Sequence, residues 1–217
     1  MKKTAIIIGA TGLTGSLLLQ KLLTDDSYES IKLFSRRSAG IKNAKITEFI
    51  GDIVQLEDFK YDFTADEVYC CVGTTKSKTK DKSAYRDIDF GIPTKAAKLA
   101  KENSIPFFAV ISAIGSDENS SVFYNKTKGE MESAVINEKI ESTYILRPSL
   151  IKGNRKENRL GENIANLLFS ILNIFLVGSL KKYQSINAET IADALFKLPN
   201  LKNQNLILES DEIKRIR

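Results

Sequence analysis

Short apolar runs alternate with longer stretches of helical period almost from end to end of the chain. Residues 5–8, 31–34, 46–50, 68–72, 107–111 and 144–146 are runs of three to five mostly apolar residues and read as strands. Residues 14–23, 83–102 and 121–138 space their apolar side chains three and four apart, the pattern of one helix face, and read as helices between the strands. Strands that are apolar throughout must be covered on both faces, which fits parallel strands joined by crossover helices. Right-handed crossovers then predict an α/β fold, a doubly wound parallel sheet whose ligand crevice lies at the carboxyl ends of the strands. The last part differs: 162–178 is an apolar helical stretch, 188–198 a second helix and 205–208 a last edge strand. One domain over 1–217 is expected, with 150–217 forming a small helical cap and the terminal strand.

The first strand leads straight into Gly9-Ala10-Thr11-Gly12-Leu13-Thr14-Gly15, and Leu17, Leu18, Leu19, Leu22 and Leu23 follow. Glycines at three-residue intervals between a strand and an amphipathic helix allow a tight turn, close approach of backbone to a pyrophosphate and close helix–strand packing. Free N–H groups and the positive end of the helix dipole then face the phosphates. Gly9, Thr11, Gly12, Leu13, Thr14 and Gly15 are the expected dinucleotide-binding residues. The second strand ends in Ser35-Arg36-Arg37-Ser38, with no acid to accept from a ribose 2′-hydroxyl. Guanidiniums match a phosphate in charge and fork geometry, so Arg36 and Arg37 favour NADP over NAD; solvated loop charges are the plainer reading. Asp52, past the third strand, is placed either to accept from an adenine amino group or to cap the next helix.

Composition changes this picture in a few places. The 217 residues contain no histidine, which removes Ser-His-Asp and Cys-His nucleophile pairs and the commonest metal ligand, and no metal site is expected. Cys70 and Cys71 are adjacent on a strand and point to opposite faces, so they read as core thiols in a reducing cytosol. Lys2 and Lys3 run directly into an apolar run without the form of a signal peptide, and the expected location is cytoplasmic. The net charge of +5 is spread along the chain with no nucleic-acid motif beside it, so no nucleic-acid partner is expected. Lys76, Lys78, Lys80 and Lys82 share one loop, read as solvated, with attraction of an acidic substrate as the alternative. Residues 164–180 carry no charge, but 17 residues interrupted by Asn166, Ser170 and Asn173 reach only the lower limit of a membrane span. They read as a half-buried cap or dimer-contact helix, with peripheral membrane contact as the alternative. Monomer and homodimer both fit.

The fifth strand ends at Ser112, and Tyr124 and Lys128 follow at i, i+4 on the next helix. A free tyrosine has a pKa of about 10. An ammonium ~4 Å away at an effective dielectric of ~20 contributes about 4 kcal/mol, enough to lower it by roughly three pH units. In this reading Ser112 orients a substrate oxygen, Tyr124 protonates it as hydride arrives, and Lys128 also holds the nicotinamide ribose. Alone, such a Tyr/Lys spacing reads as an ordinary exposed helix; its place after a nucleotide turn, a fifth strand and a serine gives it chemistry.

These pieces together resemble the atypical short-chain dehydrogenases/reductases, and more closely the Tat-interactive-protein-like oxidoreductases. The matching segments are Gly9 to Gly15, Ser35-Arg36-Arg37, Cys70-Cys71-Val72-Gly73-Thr74-Thr75, Tyr124-x-x-x-Lys128 with Gly129-Glu130, and Arg147-Pro148. The resemblance implies a Rossmann fold, NADP(H) binding and a Ser112, Tyr124, Lys128 trio. It also implies that Gly73 and Thr74 lie against the cofactor and that Pro148 borders the nicotinamide. Where typical members of the superfamily carry an asparagine, Asp87 and Asp89 stand in the helix. The expected function is an NADP-dependent oxidoreductase acting on a small carbonyl or alcohol. The alternative is an NADP(H)-binding sensor with little turnover. A sugar-nucleotide epimerase or dehydratase shares the motifs but normally needs a larger C-terminal domain.

Overall fold

Strand β1 (Lys3–Ile8) shows how the core is divided. Ala5 and Ile7 face a cluster with Leu18, Leu19, Leu22, Leu33, Ile191 and Leu195, whereas Ile6 and Ile8 face another with Phe34, Val68, Ala96, Phe108 and Val135. Both faces of the strand are apolar because both are covered, and each fully buried side chain of this size contributes roughly 1.5–3 kcal/mol. The computed structural model describes residues 2–153, 178–201 and 206–216.

Helix α1 (Leu13–Thr24) returns the chain to β2 (Tyr28–Ser35) and β3 (Ile46–Ile50); a 3-10 helix (Ile53–Phe59) leads on to β4 (Glu67–Cys70). After α2 (Lys82–Arg86), a π-turn (Asp87–Gly91) and α3 (Ile92–Glu102) come β5 (Phe107–Ile111), α4 (Phe123–Asn137) and β6 (Ser142–Arg147). The described remainder holds β7 (Ile151–Lys152), a 3-10 turn (Gly178–Tyr183), β8 (Ile186–Asn187), α5 (Ala188–Lys197), β9 (Ile207–Glu209) and α6 (Ser210–Ile213). The main sheet has seven strands in the order β3-β2-β1-β4-β5-β6-β9, all parallel. This is the doubly wound Rossmann arrangement, and its strand order reverses between β1 and β4, where the ligand crevice opens.

The C-terminal part completes this layer structure. Strand β9 extends the sheet beside β6, and α5 covers the same face as α1, joined to it by Lys21 and Asp193 at 2.6 Å. The helix expected over 162–178 lies outside the described residues, save that Gly178 begins the 3-10 turn. No helix among the described residues is long and apolar enough to cross a membrane.

The helix expected over 83–102 is interrupted. Pro93 has no N–H for the carbonyl of Asp89, and the chain instead widens by one residue, with the Ile92 N–H bonding to the Asp87 carbonyl. The wider turn carries Asp89, which is buried against the site described next.

Candidate functional site

Gly9 ends β1 with φ +89°, in the left-handed region. A Cβ there would lie 3.0 Å from the Cys71 carbonyl group, so glycine brings the end of β1 against the end of β4. A Cβ on Gly15 would fall 2.3 Å from the Gly9 carbonyl oxygen, so α1 rests directly on the turn. Gly12 caps α1 without a side-chain hydrogen bond, and the first turn holds no acid. The amides of Leu13, Thr14 and Gly15 thus meet no capping side chain and no negative charge, and a pyrophosphate fits this cradle. Thr11 and Gly12 are exposed at its rim, while Thr14 is buried. The chain beyond β7 passes close by: a Cβ on Gly153 would lie 2.8 Å from Leu13 Cδ2.

At the end of β2, the Ser35 hydroxyl donates to the Arg37 carbonyl at 2.7 Å and folds the chain back. Arg36 and Arg37 are exposed, and among the described residues neither pairs with a carboxylate. Glu48, the acid on the facing strand, is taken up by the Ser38 hydroxyl and the Ala39 amide, each at 2.6 Å. Of the two readings left open for Asp52, the structure shows the cap: its carboxylate accepts from the Val54 amide at 3.0 Å at the start of the 3-10 helix.

Across the crevice, α4 carries Tyr124 and Lys128, and Gly129 lets the preceding loop lie on it. A Cβ there would meet the Glu118 amide at 2.2 Å. Tyr124 is 40% exposed, whereas Lys128 is buried. The Lys128 ammonium lies 2.7 Å from Asp89 Oδ1, their side chains only 4% and 1% exposed. That oxygen has no hydrogen bond of acceptable angle among the described residues, so the contact is one of charge rather than alignment. Asp89 Oδ2 accepts from the Thr74 amide at 2.8 Å. Gly73 adjoins the pair, since a Cβ on it would lie 3.7 Å from Asp89 Oδ1 and 4.0 Å from Lys128 Nζ. From the Gly9 turn through Cys71, Val72 and Gly73 to Lys128, the site is one continuous line of contacts.

Two expectations change here. The phenol of Tyr124 is raised above its ordinary range, because burial of part of the ring outweighs the attraction of Lys128, and Asp89 adds to the rise. The attraction of Lys128 does not bring the expected net lowering because burial outweighs it, and the carboxylate 2.7 Å from the ammonium works against it as well. Ser112, expected to orient a substrate oxygen, instead donates its hydroxyl proton to Glu132 and lies 3.0 Å from the Ser116 hydroxyl. Glu132 is in turn gripped by Arg147, whose Nε lies 3.0 and 3.1 Å from its two oxygens. Arg147 also reaches Glu209 at 3.5 Å. Pro148 is buried and its carbonyl accepts from the Ile114 amide at 3.0 Å.

Glu132 is the site residue that motif reading passed over, and Asp89 was noted without its partner. Glu132 stands at i+4 from Lys128, continuing the Tyr124–Lys128 face, and that spacing was its available signal. For Asp89 the signal was its place, with Asp87, in the helix where typical members of the superfamily carry an asparagine.

A parallel sheet reversing at β1/β4, with a glycine-rich turn at that point, is the arrangement of a dinucleotide-binding protein. Residues 9–166 match the NAD(P)H-binding family, and the chain belongs to it. It is 31% identical to the Candida albicans protein FMP52, mitochondrial, over 98% of this chain and 97% of that relative. It is 30% identical to the rat protein HTATIP2 over 78% of this chain and 72% of that relative, which marks it as an atypical short-chain dehydrogenase/reductase resembling HTATIP2. Among solved structures, a UDP-N-acetylglucosamine 4-epimerase from Methanobrevibacter ruminantium superposes with a TM-score of 0.70 at 18% identity, covering 96% of this chain and 76% of that one. A short-chain dehydrogenase/reductase from Veillonella parvula gives 0.63 at 15% identity, covering 94% and 89%. At these identities the structures speak for the fold alone.

The cytoplasmic expectation is overturned by the relatives, since FMP52 proteins of several yeasts are named as mitochondrial. Free thiols, buried at Cys70 and half-buried at Cys71, are compatible with any reducing compartment, so they do not single out the cytosol.

Proposed function

We propose that this chain is an NADPH-dependent reductase of a small carbonyl compound. The supporting observation is the Tyr124 phenol: exposed, kept protonated by its surroundings, and one helical turn from a lysine that adjoins the Gly73 end of the crevice. In this reading the backbone amides at the start of α1 hold the pyrophosphate, and Arg36 and Arg37 hold the 2′-phosphate that distinguishes NADP from NAD. Gly73, Thr74 and Pro148 border the nicotinamide half, where Lys128 holds the ribose. When bound, the reduced nicotinamide supplies a hydride to the carbonyl carbon. Tyr124 Oη gives its proton to the carbonyl oxygen and is reprotonated by water. A raised pKa favours this direction, because the acid is fully protonated at neutral pH while the phenolate needed for alcohol oxidation appears only at alkaline pH. Ser112, its proton committed to Glu132, acts through its oxygen lone pairs and accepts from the alcohol product.

The test is NADPH consumption against a panel of aldehydes, ketones and quinones, with Tyr124→Phe as the control. Reduction that disappears with the phenol supports the assignment, and reduction that survives unchanged removes the mechanism. A second reading, a cofactor-binding sensor with little turnover, draws on the commitment of Ser112 to Glu132 and of Lys128 to Asp89. It predicts tight NADPH binding without consumption on any member of the panel.

A further inference from the structure

Resting on the reductase reading, we infer that the substrate is an anionic carbonyl compound, one bearing a carboxylate or a phosphate. The lysines between β4 and α4 receive its charged group at the mouth of the crevice while its carbonyl meets Tyr124. These lysines follow the carboxyl end of β4 directly, on the side of the sheet where the crevice opens.

The segment that carries them is pinned to the site rather than left free in solvent. At its start the Thr74 amide donates to Asp89 Oδ2 at 2.8 Å, beside Lys128. It then folds back on itself: the amides of Lys78 and Thr79 both donate to the Thr75 carbonyl at 2.9 Å, and the Thr74 and Thr79 hydroxyls lie 2.9 Å apart. At its end Asp81 caps α2, accepting from the Ala84 amide at 2.8 Å. Tyr85 of α2 packs its ring against Phe123 and Tyr124, with centroids 5.6 and 6.5 Å apart. The Lys82 ammonium lies 5.4 Å from the centre of the Phe123 ring, the residue before Tyr124. One ammonium is thus held beside the start of α4, where the phenol is exposed.

The charge of this rim is unbalanced. From residue 74 to 87, four lysines and Arg86 stand against Asp81 and Asp87. Arg86 is matched by Glu130 across on α4, and Asp89 by Lys128. Lys76, Lys80 and Lys82 are exposed, and among the described residues no ion pair joins them to a carboxylate. An excess of one charge along the wall of a crevice concentrates ligands of the opposite sign there. A neutral carbonyl compound gains nothing from it. In the step itself the carbonyl carbon takes a hydride from the reduced nicotinamide and the oxygen takes the Tyr124 proton, reducing the carbonyl by two electrons to the alcohol. The anionic group keeps its charge throughout.

The experiment compares para-formylbenzoate with its uncharged counterpart para-formylbenzamide in calorimetric titrations of the full chain saturated with NADP, where no reduction occurs. The benzoate is expected to bind roughly tenfold tighter, with the advantage shrinking as salt is added. Replacing Lys76, Lys80 and Lys82 together by Gln should bring the two affinities together. Lys2→Gln, which removes one charge ahead of β1 at the opposite end of the sheet, should not. Equal affinities in the unsubstituted chain, or association of neither aldehyde, overturn the inference. So does an advantage that Lys2→Gln erodes as far as the triple variant does, which would mark it as a property of net charge alone. NADP affinity distinguishes the two anions this rim could serve: a triple variant that loses the nucleotide but keeps the preference for the benzoate assigns the lysines to the cofactor's phosphates, and the inference fails. Binding needs no turnover, so a lysine-dependent preference without NADPH consumption rejects the reductase reading and leaves the anion specificity standing.

Discussion

On the β1 side of the crevice the working groups are backbone amides, left open because Gly9, Gly12 and Gly15 put no side chain in the way. On the β5 side every working group is a side chain, and most are already engaged by another: Ser112 by Glu132, Glu132 by Arg147, Lys128 by Asp89. The first half presents its donors before any ligand arrives. The second is a charge-balanced network in which one exposed phenol remains at the surface. Binding and chemistry are therefore separable in this molecule, and substitutions should divide along the same line.

The largest effect expected is from Tyr124→Phe, which removes the proposed acid alone: kcat should fall by roughly 10²–10⁴-fold while NADPH affinity stays within about twofold. Steady-state rates set beside calorimetric affinities check this, and a parallel loss of binding would merge the two halves. Next comes Gly15→Ala, whose Cβ would lie 2.3 Å from the Gly9 carbonyl oxygen. Displacing α1 should cost about 2 kcal/mol of stability, read from denaturant midpoints, and weaken NADPH roughly tenfold in the folded fraction. Arg36→Ala should weaken NADPH by roughly tenfold and leave NADH nearly unchanged, as loss of one charge-assisted contact to the 2′-phosphate requires. The smallest effect is expected at Ser112→Ala. Because its proton already belongs to Glu132, kcat should fall by only a few-fold, with a stability loss of about 1 kcal/mol on melting.

The same division governs what could be read from sequence. The strands, their parallel order and the Gly9–Gly15 turn were legible because they follow from local periodicity and from the absence of side chains at fixed intervals. Tyr124 and Lys128 were placed correctly on one helix, yet the state of Lys128 was misjudged, because its partner Asp89 comes from another element, 39 residues earlier. That pairing depends on the π-turn ahead of Pro93, which helical spacing alone did not announce. The commitment of the Ser112 hydroxyl was hidden for a similar reason: Glu132 reaches it from α4 and is itself held by Arg147 of β6. Asp52 stayed ambiguous until the 3-10 helix it caps came into view, and that helix carries too short an apolar pattern to stand out.

Calorimetric titration of the full chain with NADPH and with NADH tests the central claim most directly, because it asks whether the open amides and the two arginines grip a dinucleotide at all. The account predicts saturable binding of both, with NADPH the tighter by roughly tenfold or more. Failure of either nucleotide to associate with the folded protein at ~millimolar concentration would contradict it.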